Sequence, residues 1–220
     1  MREKILKAIP GYGHITISLI IVWNCLIYFL SKLINCDLPH HSMQLAIDTA
    51  IPFIPAFIII YCLAYAHWGL GYVIAARESY EFCMRFTAAN LLAKLLCGII
   101  FVAFPTSMAR PEISGTGLIS LLCRFIYSAD TPVNLFPSIH CLESWMCVRV
   151  CFKSEKTPLW LKIFSALFAI AVFASVVLVK QHVTLDILGG VLVFEIGLML
   201  SDTIHLDRLL LKLIPKRNAK

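Results

Sequence analysis

Long apolar stretches recur along the chain, and short polar segments separate them. A transmembrane helix needs about 20 mostly apolar residues, because the hydrocarbon core of a bilayer is about 30 Å thick. The pattern predicts six membrane-spanning helices, at about Ile15–Ile34, Ile51–Ala75, Thr87–Phe104, Ser138–Phe152, Leu159–Val179 and Val183–Leu200. The fourth and the sixth contain charged residues, which is typical of helices that face the interior of a bundle.

The longest segment between two predicted spans, residues 105–137, has an apolar pattern of its own. Its apolar residues recur at helical spacing: Leu118, Ile119, Leu121, Leu122, Phe125 and Ile126. Such a pattern predicts an amphipathic helix that lies in the membrane interface. This helix could cover the mouth of a site, or it could simply bridge two spans.

The composition agrees with a membrane protein. Of the 220 residues, 60% are hydrophobic and 15% are charged, and the mean hydropathy is +0.83. Soluble domains are about half apolar and about a quarter charged. We therefore expect an all-α polytopic membrane bundle of six helices that forms a single integral membrane domain over residues 1–220.

Charge and cysteine content exclude several other classes of protein. The net charge is +6, but the basic residues are not grouped into a stripe, so we expect no binding of nucleic acid. The nine cysteines form no C-x-x-C pair, and most of them lie in apolar runs. Neither a disulfide framework nor a zinc site is indicated.

Lysine and arginine are distributed unevenly between the two ends of the predicted spans. One set of ends holds fourteen: Arg2, Lys4, Lys7, Arg77, Arg85, Arg149, Lys153, Lys156, Lys162, Arg208, Lys212, Lys216, Arg217 and Lys220. The other set holds four: Lys32, Arg110, Arg124 and Lys180. Because cytoplasmic loops are enriched in these residues, we expect a multi-pass plasma-membrane protein with both termini in the cytoplasm. His140, His182 and Arg110 would then meet on the extracytoplasmic face.

The sixth predicted span begins with the motif His182-Val183-Thr184-Leu185-Asp186. Ionisable groups in a membrane helix are costly and are therefore candidates for function. His182 and Asp186 are four residues apart and share a helix face. The carboxylate can hold one ring nitrogen of the histidine and leave the other as a nucleophile. The same pair could equally serve only to satisfy two polar groups at a helix end.

The fourth predicted span begins with the motif Pro137-Ser138-Ile139-His140. The free N–H groups of a first helical turn can bind a phosphate oxygen, and the Ser138 hydroxyl adds a donor. His140 could then protonate a departing alkoxide as a general acid. An ordinary helix cap followed by an interfacial histidine would produce the same residues.

Two basic residues fall at the same predicted face. Arg110, which is followed by Pro111 after the third span, can hold a phosphate through two parallel hydrogen bonds. Lys180 lies two residues before His182 and could supply a second positive charge. The alternative for both is a side chain that extends to lipid headgroups.

Together, these motifs resemble those of the type 2 phosphatidic acid phosphatase superfamily, which includes lipid phosphate phosphatases and sphingolipid synthases. The motifs of that superfamily are Lys-x6-Arg-Pro, Pro-Ser-Gly-His and Ser-Arg-x5-His-x3-Asp. They correspond here to Arg110-Pro111, to residues 137–140 and to residues 175–186. The resemblance covers residues 105–190 and agrees with six spans. The His-x-Thr-x-Asp form of the third motif is similar to that of the sphingolipid synthase branch.

Three positions depart from the motifs of that superfamily. Ala103 stands where the first motif has lysine, and Val176 stands where the third has arginine. Ile139 replaces the glycine of the second motif but still offers its backbone N–H. Lys180 and Arg124 are the candidates to compensate for the two missing cations.

The resemblance implies a metal-independent enzyme without a cofactor, which acts on lipid phosphates through a phosphohistidine. His182 would attack the phosphorus, Asp186 would orient it, and His140 would protonate the leaving oxygen. The residues expected to bind the phosphate are Arg110, Ser138, Ile139 and Lys180.

Three functions remain open on the sequence alone. The first is a phosphatase that cleaves a polyprenyl, diacylglycerol or sphingoid phosphate. The second is a lipid phosphotransferase that moves a phospho-headgroup between lipids, which the missing cations favour because a phosphodiester carries less charge. The third is a non-catalytic lipid-binding or transport protein, in which Glu143 and Glu195 could form a path for protons or substrate.

Asp130, Thr131 and Asn134 precede the second motif and could contact a headgroup, but they are equally expected as loop formers.

Overall fold

The computed structural model describes residues 9–216, and within this range the chain is helical and contains no β-strand. Its α-helices are α1 (Gly11–Asn35), α2 (Ala46–Ala50), α3 (Ile58–Glu78), α4 (Tyr80–Ala103), α5 (Leu118–Ala129), α6 (Ile139–Lys153), α7 (Leu159–Leu178), α8 (Thr184–Ile204) and α9 (Leu206–Leu213). The all-α fold predicted from the sequence is confirmed. Arg2, Lys4, Lys7, Arg217 and Lys220, on which the predicted orientation partly depends, lie outside the described residues.

Five helices of the described chain are long and apolar enough to cross a membrane. They are α1, α3 with the turn that precedes it, α4, α7 and α8. This agrees with a polytopic membrane protein. Helix α6 lies where the fourth span was predicted, but it has only 15 residues, which at 1.5 Å per residue is about 22 Å.

The boundaries of α3 differ from the prediction for physical reasons at both ends. The span was predicted to begin at Ile51, but a 3₁₀ turn at Pro55–Phe57 precedes the helix, which begins at Ile58. Proline has no N–H to donate and fits only the first turn of a helix. At the other end the chain becomes extended at Ser79, whose hydroxyl accepts a hydrogen bond from the Phe82 amide at 3.0 Å and starts α4.

Helix α6 lies at the centre of the bundle, where it packs against α3, α7 and α8. Ten of its 15 residues are buried, and the core also contains a charged pair. Lys94 Nζ on α4 lies 2.5 Å from Glu143 Oε1 on α6, and Tyr72 donates to the other oxygen of Glu143 at 2.8 Å. Buried charges are stable in such a core only when they are paired in this way.

The starts of α3, α6 and α8 lie at one end of the bundle, together with the C-terminal ends of α1 and α4. At this end the Asn35 amide of α1 donates to the Phe101 carbonyl of α4 at 3.1 Å. At the opposite end, Ser154 after α6 donates to Glu78 of α3 at 2.5 Å. We call the first of these the site end of the bundle, because both histidine motifs lie there.

Candidate active site

His182 and Asp186 form a closed pair at the start of α8. Asp186 Oδ2 lies 3.1 Å from His182 Nδ1 and accepts a hydrogen bond from the Val183 amide at 3.0 Å. A carboxylate is an acceptor only, so Nδ1 carries the proton and Nε2 keeps its lone pair. The pair therefore holds His182 in the tautomer that a nucleophilic imidazole requires.

The start of α6 is bonded directly to this pair. The Ser138 amide donates to the Asp186 carbonyl at 3.1 Å, and the Ser138 hydroxyl accepts from the Cys141 amide at 3.4 Å. As a result His140 faces His182, with 6.3 Å between the ring centroids. The first-turn amides of a helix have no partner within it, so α6 presents free donors beside the two rings.

Close contact between α8 and the start of α6 depends on two glycines of α8. A Cβ atom on Gly190 would lie 2.4 Å from the Ser138 carbonyl oxygen, and one on Gly189 would lie 2.4 Å from the Phe136 ring. A side chain at Gly190 would meet the backbone at the start of α6 and push the two helices apart, whereas one at Gly189 would displace the Phe136 ring. The glycines allow the two histidine motifs to approach one another.

Three aromatic side chains of α3 surround His140. The ring of Tyr61 stacks on it at 4.1 Å, and the rings of Trp68 and Tyr65 meet it edge-on at 4.9 and 5.5 Å. Sequence reasoning did not identify them as site residues. Their spacing of four and then three residues, which puts all three on one helix face, was the available signal.

A cavity of about 320 Å³ opens beside the two histidines. Its lining comes from α1, α3, the end of α5 and the segments before α6 and α8: Asn24, Cys25, Tyr28, Phe29, Tyr61, Tyr65, Trp68, Ile126, Ala129, Asp130, Val133, Asn134, Leu135, Ile139, His140, Gln181 and His182. Most of these side chains are apolar or aromatic, and a few polar groups converge among them. That is the general character of a small-molecule site.

Two buried amides of the lining, Gln181 and Asn134, are held so that their N–H groups stay free. The Gln181 oxygen accepts from Arg110 Nη2 at 2.5 Å, and the Asn134 oxygen accepts from Asn35 Nδ2 at 2.6 Å. Arginine can only donate, so the atom of Gln181 that meets Arg110 must be the oxygen. The Asn35 amide nitrogen also donates to the Phe101 carbonyl, so the atom of Asn134 that meets this nitrogen must likewise be the oxygen.

Three residues of the lining have a buried nitrogen atom without a hydrogen-bond partner among the described residues. The atoms are Gln181 Nε2, Asn134 Nδ2 and His140 Nε2. Buried polar atoms are normally paired, so these three are the candidate polar contacts of a ligand in the cavity. Gln181 was missed at the sequence level, although it directly precedes His182.

Arg110 lies behind this group of donors. Its guanidinium donates to the Asp130 carbonyl and to Gln181, both at 2.5 Å, and covers the Tyr127 ring at 4.7 Å. Burial lowers the pKa of Arg110 below its ordinary value, but an arginine stays protonated at neutral pH. Its Nε atom is buried without a partner. Arg110 thus acts on the cavity mainly through Gln181.

The other predicted cation of the site lies elsewhere. Lys180 Nζ donates to the carbonyls of Asp48 and Ile51 at 2.9 and 2.6 Å, and Lys180 does not line the cavity. Of the predicted site residues, His140, His182 and Ile139 line the cavity. Asp186, Ser138 and Arg110 lie behind the lining and are bonded to His182, to the Asp186 carbonyl and to Gln181, whereas Lys180 is bonded elsewhere.

Ala103 and Val176, where the superfamily motifs have cations, also lie outside the cavity lining, as does Arg124, the second candidate to compensate for them. Val176 is fully buried in the core and Ala103 is exposed at the end of α4. Arg124 donates to the Ile113 and Gly115 carbonyls in the segment before α5. The donors nearest the histidines are consequently neutral amides.

Besides Asp186, two acidic residues lie within predicted spans, Glu143 and Glu195, and both are engaged in the bundle. Glu143 is paired with Lys94, and Glu195 accepts from the Trp145 indole at 2.7 Å beside Arg149. Neither glutamate lines the cavity. Their contacts join helices of the bundle.

The chain matches no protein-family model, and no curated protein matches it at a significant level. What the site can do must therefore follow from its geometry. It has an imidazole paired with a carboxylate, a second imidazole whose ring centroid is 6.3 Å away, and two side-chain amides whose oxygens are engaged and whose nitrogens have no partner among the described residues.

Proposed function

We propose that the protein is a membrane-embedded lipid phosphate phosphatase, similar to the type 2 phosphatidic acid phosphatase superfamily, that acts through a phosphohistidine. The observation that carries the proposal is the pairing of His182 with Asp186 directly opposite His140. One imidazole can attack a phosphorus placed between the rings while the other exchanges a proton with the leaving or entering oxygen.

The reaction has two steps. In the first, the lone pair of His182 Nε2 forms a bond to phosphorus, the bond from phosphorus to the lipid oxygen breaks, and that oxygen takes a proton from His140. In the second, a water oxygen attacks phosphorus, the N–P bond breaks, and His140 takes up the water proton. Gln181, Asn134 and the first-turn amides of α6 stabilise the charge on the phosphoryl oxygens.

A lipid substrate is supported by the wall of the cavity between α1 and α3. Phe29 and Tyr65 line the cavity and are also 63% and 55% exposed on the outer surface of the bundle. The outer surface of such helices faces lipid. A phosphate headgroup could therefore reach the histidines sideways while its chains remain in the membrane.

A second candidate function is a lipid phosphotransferase, which the neutral donors favour. A phosphate monoester carries up to two charges and is usually bound by several cations, whereas a phosphodiester carries one. In this cavity the nearest guanidinium, Arg110, acts through an amide, and Lys180 is engaged with two carbonyls. An acceptor alcohol would then replace water in the second step.

The proposal includes six membrane helices, with α6 as the short central one, and a site end that faces away from the cytoplasm. Among the described residues, the end opposite the site carries most of the lysines and arginines.

Helix α5 exposes Leu118, Leu121 and Phe125 next to the cavity. We infer that α5 lies in the outer membrane interface with this face towards lipid.

The test uses the purified protein in detergent with a panel of lipid phosphates and phosphodiesters, and it measures released phosphate with and without an alcohol acceptor. We expect His182→Ala and His140→Ala to lose activity by about 10³-fold or more. The matched control is His41→Ala, since His41 is exposed at the same end and stacks only on Phe104.

A covalent intermediate gives a second readout. Lipid labelled at phosphorus should leave an acid-labile label on the wild type and on His41→Ala, and none on His182→Ala. Phosphate release that survives in His182→Ala would overturn the covalent mechanism. Transfer to the alcohol without release of phosphate to water would make the phosphotransferase the correct function.

A further inference from the structure

The short segment between α7 and α8, residues 179–183, carries both Gln181 and His182, and we call it the His182 turn. The amides of Gln181 and His182 both donate to the Val176 carbonyl, at 2.9 and 3.0 Å. Lys180 lies in the left-handed region with a φ of 52°, a conformation that residues other than glycine keep only when the surrounding structure holds it. We therefore expect the turn to depend on contacts from outside it.

These contacts come from the segment around α2, which is far away along the chain. The Ile54 amide donates to the Leu178 carbonyl, directly before the His182 turn, at 2.9 Å. Lys180 Nζ donates to the carbonyls of Asp48 and Ile51 at 2.9 and 2.6 Å. The backbone before the turn and the lysine within it are thus both bonded to the same distant segment.

Asp48 holds the other end of the His182 turn with its side chain, and it is only 4% exposed. One carboxylate oxygen accepts from the amide of Thr184, the first residue of α8, at 2.8 Å. The other oxygen accepts from the Leu45 amide at 2.8 Å. The first amides of a helix have no partner within it, and the helix dipole favours a negative charge beside them. Asp48 therefore caps α8 two residues after His182.

We propose that Asp48 and Lys180 are positioning residues, which bind the segment around α2 to the His182 turn and thereby hold His182 at the cavity. Neither of the two side chains lines the cavity. Lys180, which the sequence predicted to bind phosphate, contributes through the turn and not through contact with the substrate. The hydrogen bonds themselves require no substrate, but their effect on turnover rests on the proposed function.

A small displacement of the His182 turn would matter for the reaction. In a productive complex the reacting atoms lie about 3–3.5 Å apart, and a displacement of about 1 Å can lower the rate by about 10²-fold. The wall of the cavity that would contact the lipid comes from α1 and α3, and it does not include the two positioning side chains. Loss of either side chain should therefore lower kcat and change KM little.

The first experiment measures amide hydrogen exchange of the purified protein in detergent, and it requires no activity. Asp48→Ala should increase the exchange rate of residues 181–184 by about tenfold, because Thr184 loses its acceptor and the turn loses its cap. The amides of residues 139–142 should keep their rate. Asp37→Ala is the matched control, since Asp37 is exposed in the segment before α2, and it should exchange as the wild type does. Unchanged exchange of residues 181–184 in Asp48→Ala would overturn the inference.

The second experiment measures phosphate release from lipid substrates. Asp48→Ala and Lys180→Met should each lower kcat by about 10- to 100-fold and change KM by less than about twofold. Asp48→Asn keeps an acceptor and Lys180→Arg keeps the donors, so each should recover most of the lost kcat. The double variant Asp48→Ala with Lys180→Met should be no slower than the slower single variant, because both act through one turn. A higher KM with unchanged kcat in Lys180→Met would mean that Lys180 binds the substrate directly, and it would overturn the positioning role of Lys180.

The two experiments separate failure of this inference from failure of the proposed function. Faster exchange of the His182 turn in Asp48→Ala, in a protein that releases phosphate from no lipid, would support the contacts and remove the phosphatase. Wild-type kcat in an Asp48→Ala variant whose turn exchanges faster would leave the phosphatase and remove the positioning role.

Discussion

At the scale of single residues, the chemistry of the cavity depends on which atom of each polar side chain is already engaged. Arg110 is the clearest case. Its charge does not reach into the cavity directly, but its hydrogen bond to the Gln181 oxygen turns the amide N–H groups of Gln181 towards the ligand. A neutral donor fixed in this way stabilises developing charge without having to reorganise during the reaction.

Gln181→Leu tests this role. The substitution keeps a similar volume but removes the donor, so we expect kcat to fall by about 10²-fold, the usual effect of deleting one donor to a phosphoryl or acyl oxyanion. Phosphate release from lipid substrates measures the change. Gln44→Leu, at an exposed position in the segment before α2, should have wild-type kcat. An unchanged kcat in Gln181→Leu would show that its amide does not contact the reacting phosphate.

At the scale of helices, the site exists because α8 and the start of α6 are in backbone contact. The Ser138 amide bonds to the Asp186 carbonyl, and Gly190 leaves room for the Ser138 carbonyl. His140 is on α6, and His182 lies two residues before the start of α8. Any change that separates the helices should therefore affect stability and activity together.

Gly190→Ala should show this coupling. Its Cβ would lie 2.4 Å from the Ser138 carbonyl oxygen, and overpacking of this kind typically costs about 1–3 kcal/mol. We expect a lower melting temperature in detergent and a loss of phosphate release, because His140 moves away from His182. Both can be measured on the same preparation.

Gly69→Ala on α3 is the comparison for Gly190→Ala. A Cβ at Gly69 would meet no atom within 4 Å, and alanine stabilises a helix interior by about 0.5–1 kcal/mol relative to glycine. It should therefore melt at the wild-type temperature or slightly above. If Gly190→Ala behaves in the same way as Gly69→Ala, the close helix contact is not required for the site.

At the scale of the whole molecule, the bundle is held by a buried charged pair as well as by apolar packing. Lys94 and Glu143 are both almost completely buried and connect α4 to α6. Removing one partner of such a pair leaves an uncompensated charge, which costs about 3–5 kcal/mol. Lys94→Met should therefore lower the melting temperature strongly, and the double variant Lys94→Met with Glu143→Gln should recover much of the loss.

The pair Arg85–Asp202 provides the contrast, since its side chains are 42% and 38% exposed. Exposed pairs contribute about 0–1 kcal/mol, so Arg85→Met should melt close to the wild type. Equal destabilisation by Lys94→Met and Arg85→Met would mean that burial of the Lys94–Glu143 pair does not determine its contribution.

The orientation of the whole molecule can be tested with a native cysteine. Cys36 is exposed and follows α1 at the site end. A membrane-impermeant thiol reagent should label it in intact cells, and Cys36→Ser should remove that label. In the Cys36→Ser background, Glu155→Cys at the opposite end should react only after permeabilisation. The reverse pattern would place the two histidines on the cytoplasmic side.

The sequence alone determined the all-helical membrane fold and the location of its main helices. Apolar run length and helical periodicity are local properties, and lipid selects for them directly. It also identified the pairing of His182 with Asp186, but for a different local reason, since His182 lies in the turn before α8 and Asp186 reaches back to it while it caps the Val183 amide. The predicted helix boundaries were less accurate at two places. Pro55 starts a 3₁₀ turn before α3, and Ser79 ends α3 and caps the start of α4.

Only the tertiary structure decided which distant groups share the cavity. Lys180 and Gln181 are neighbours in the sequence, yet the lysine bonds to the carbonyls of Asp48 in α2 and of Ile51 just after it, whereas the glutamine lines the cavity. The free N–H groups of Gln181 and Asn134 depend on Arg110 and Asn35, far away along the chain. Such orientation is set by long-range packing and hydrogen bonding, for which no local sequence pattern exists.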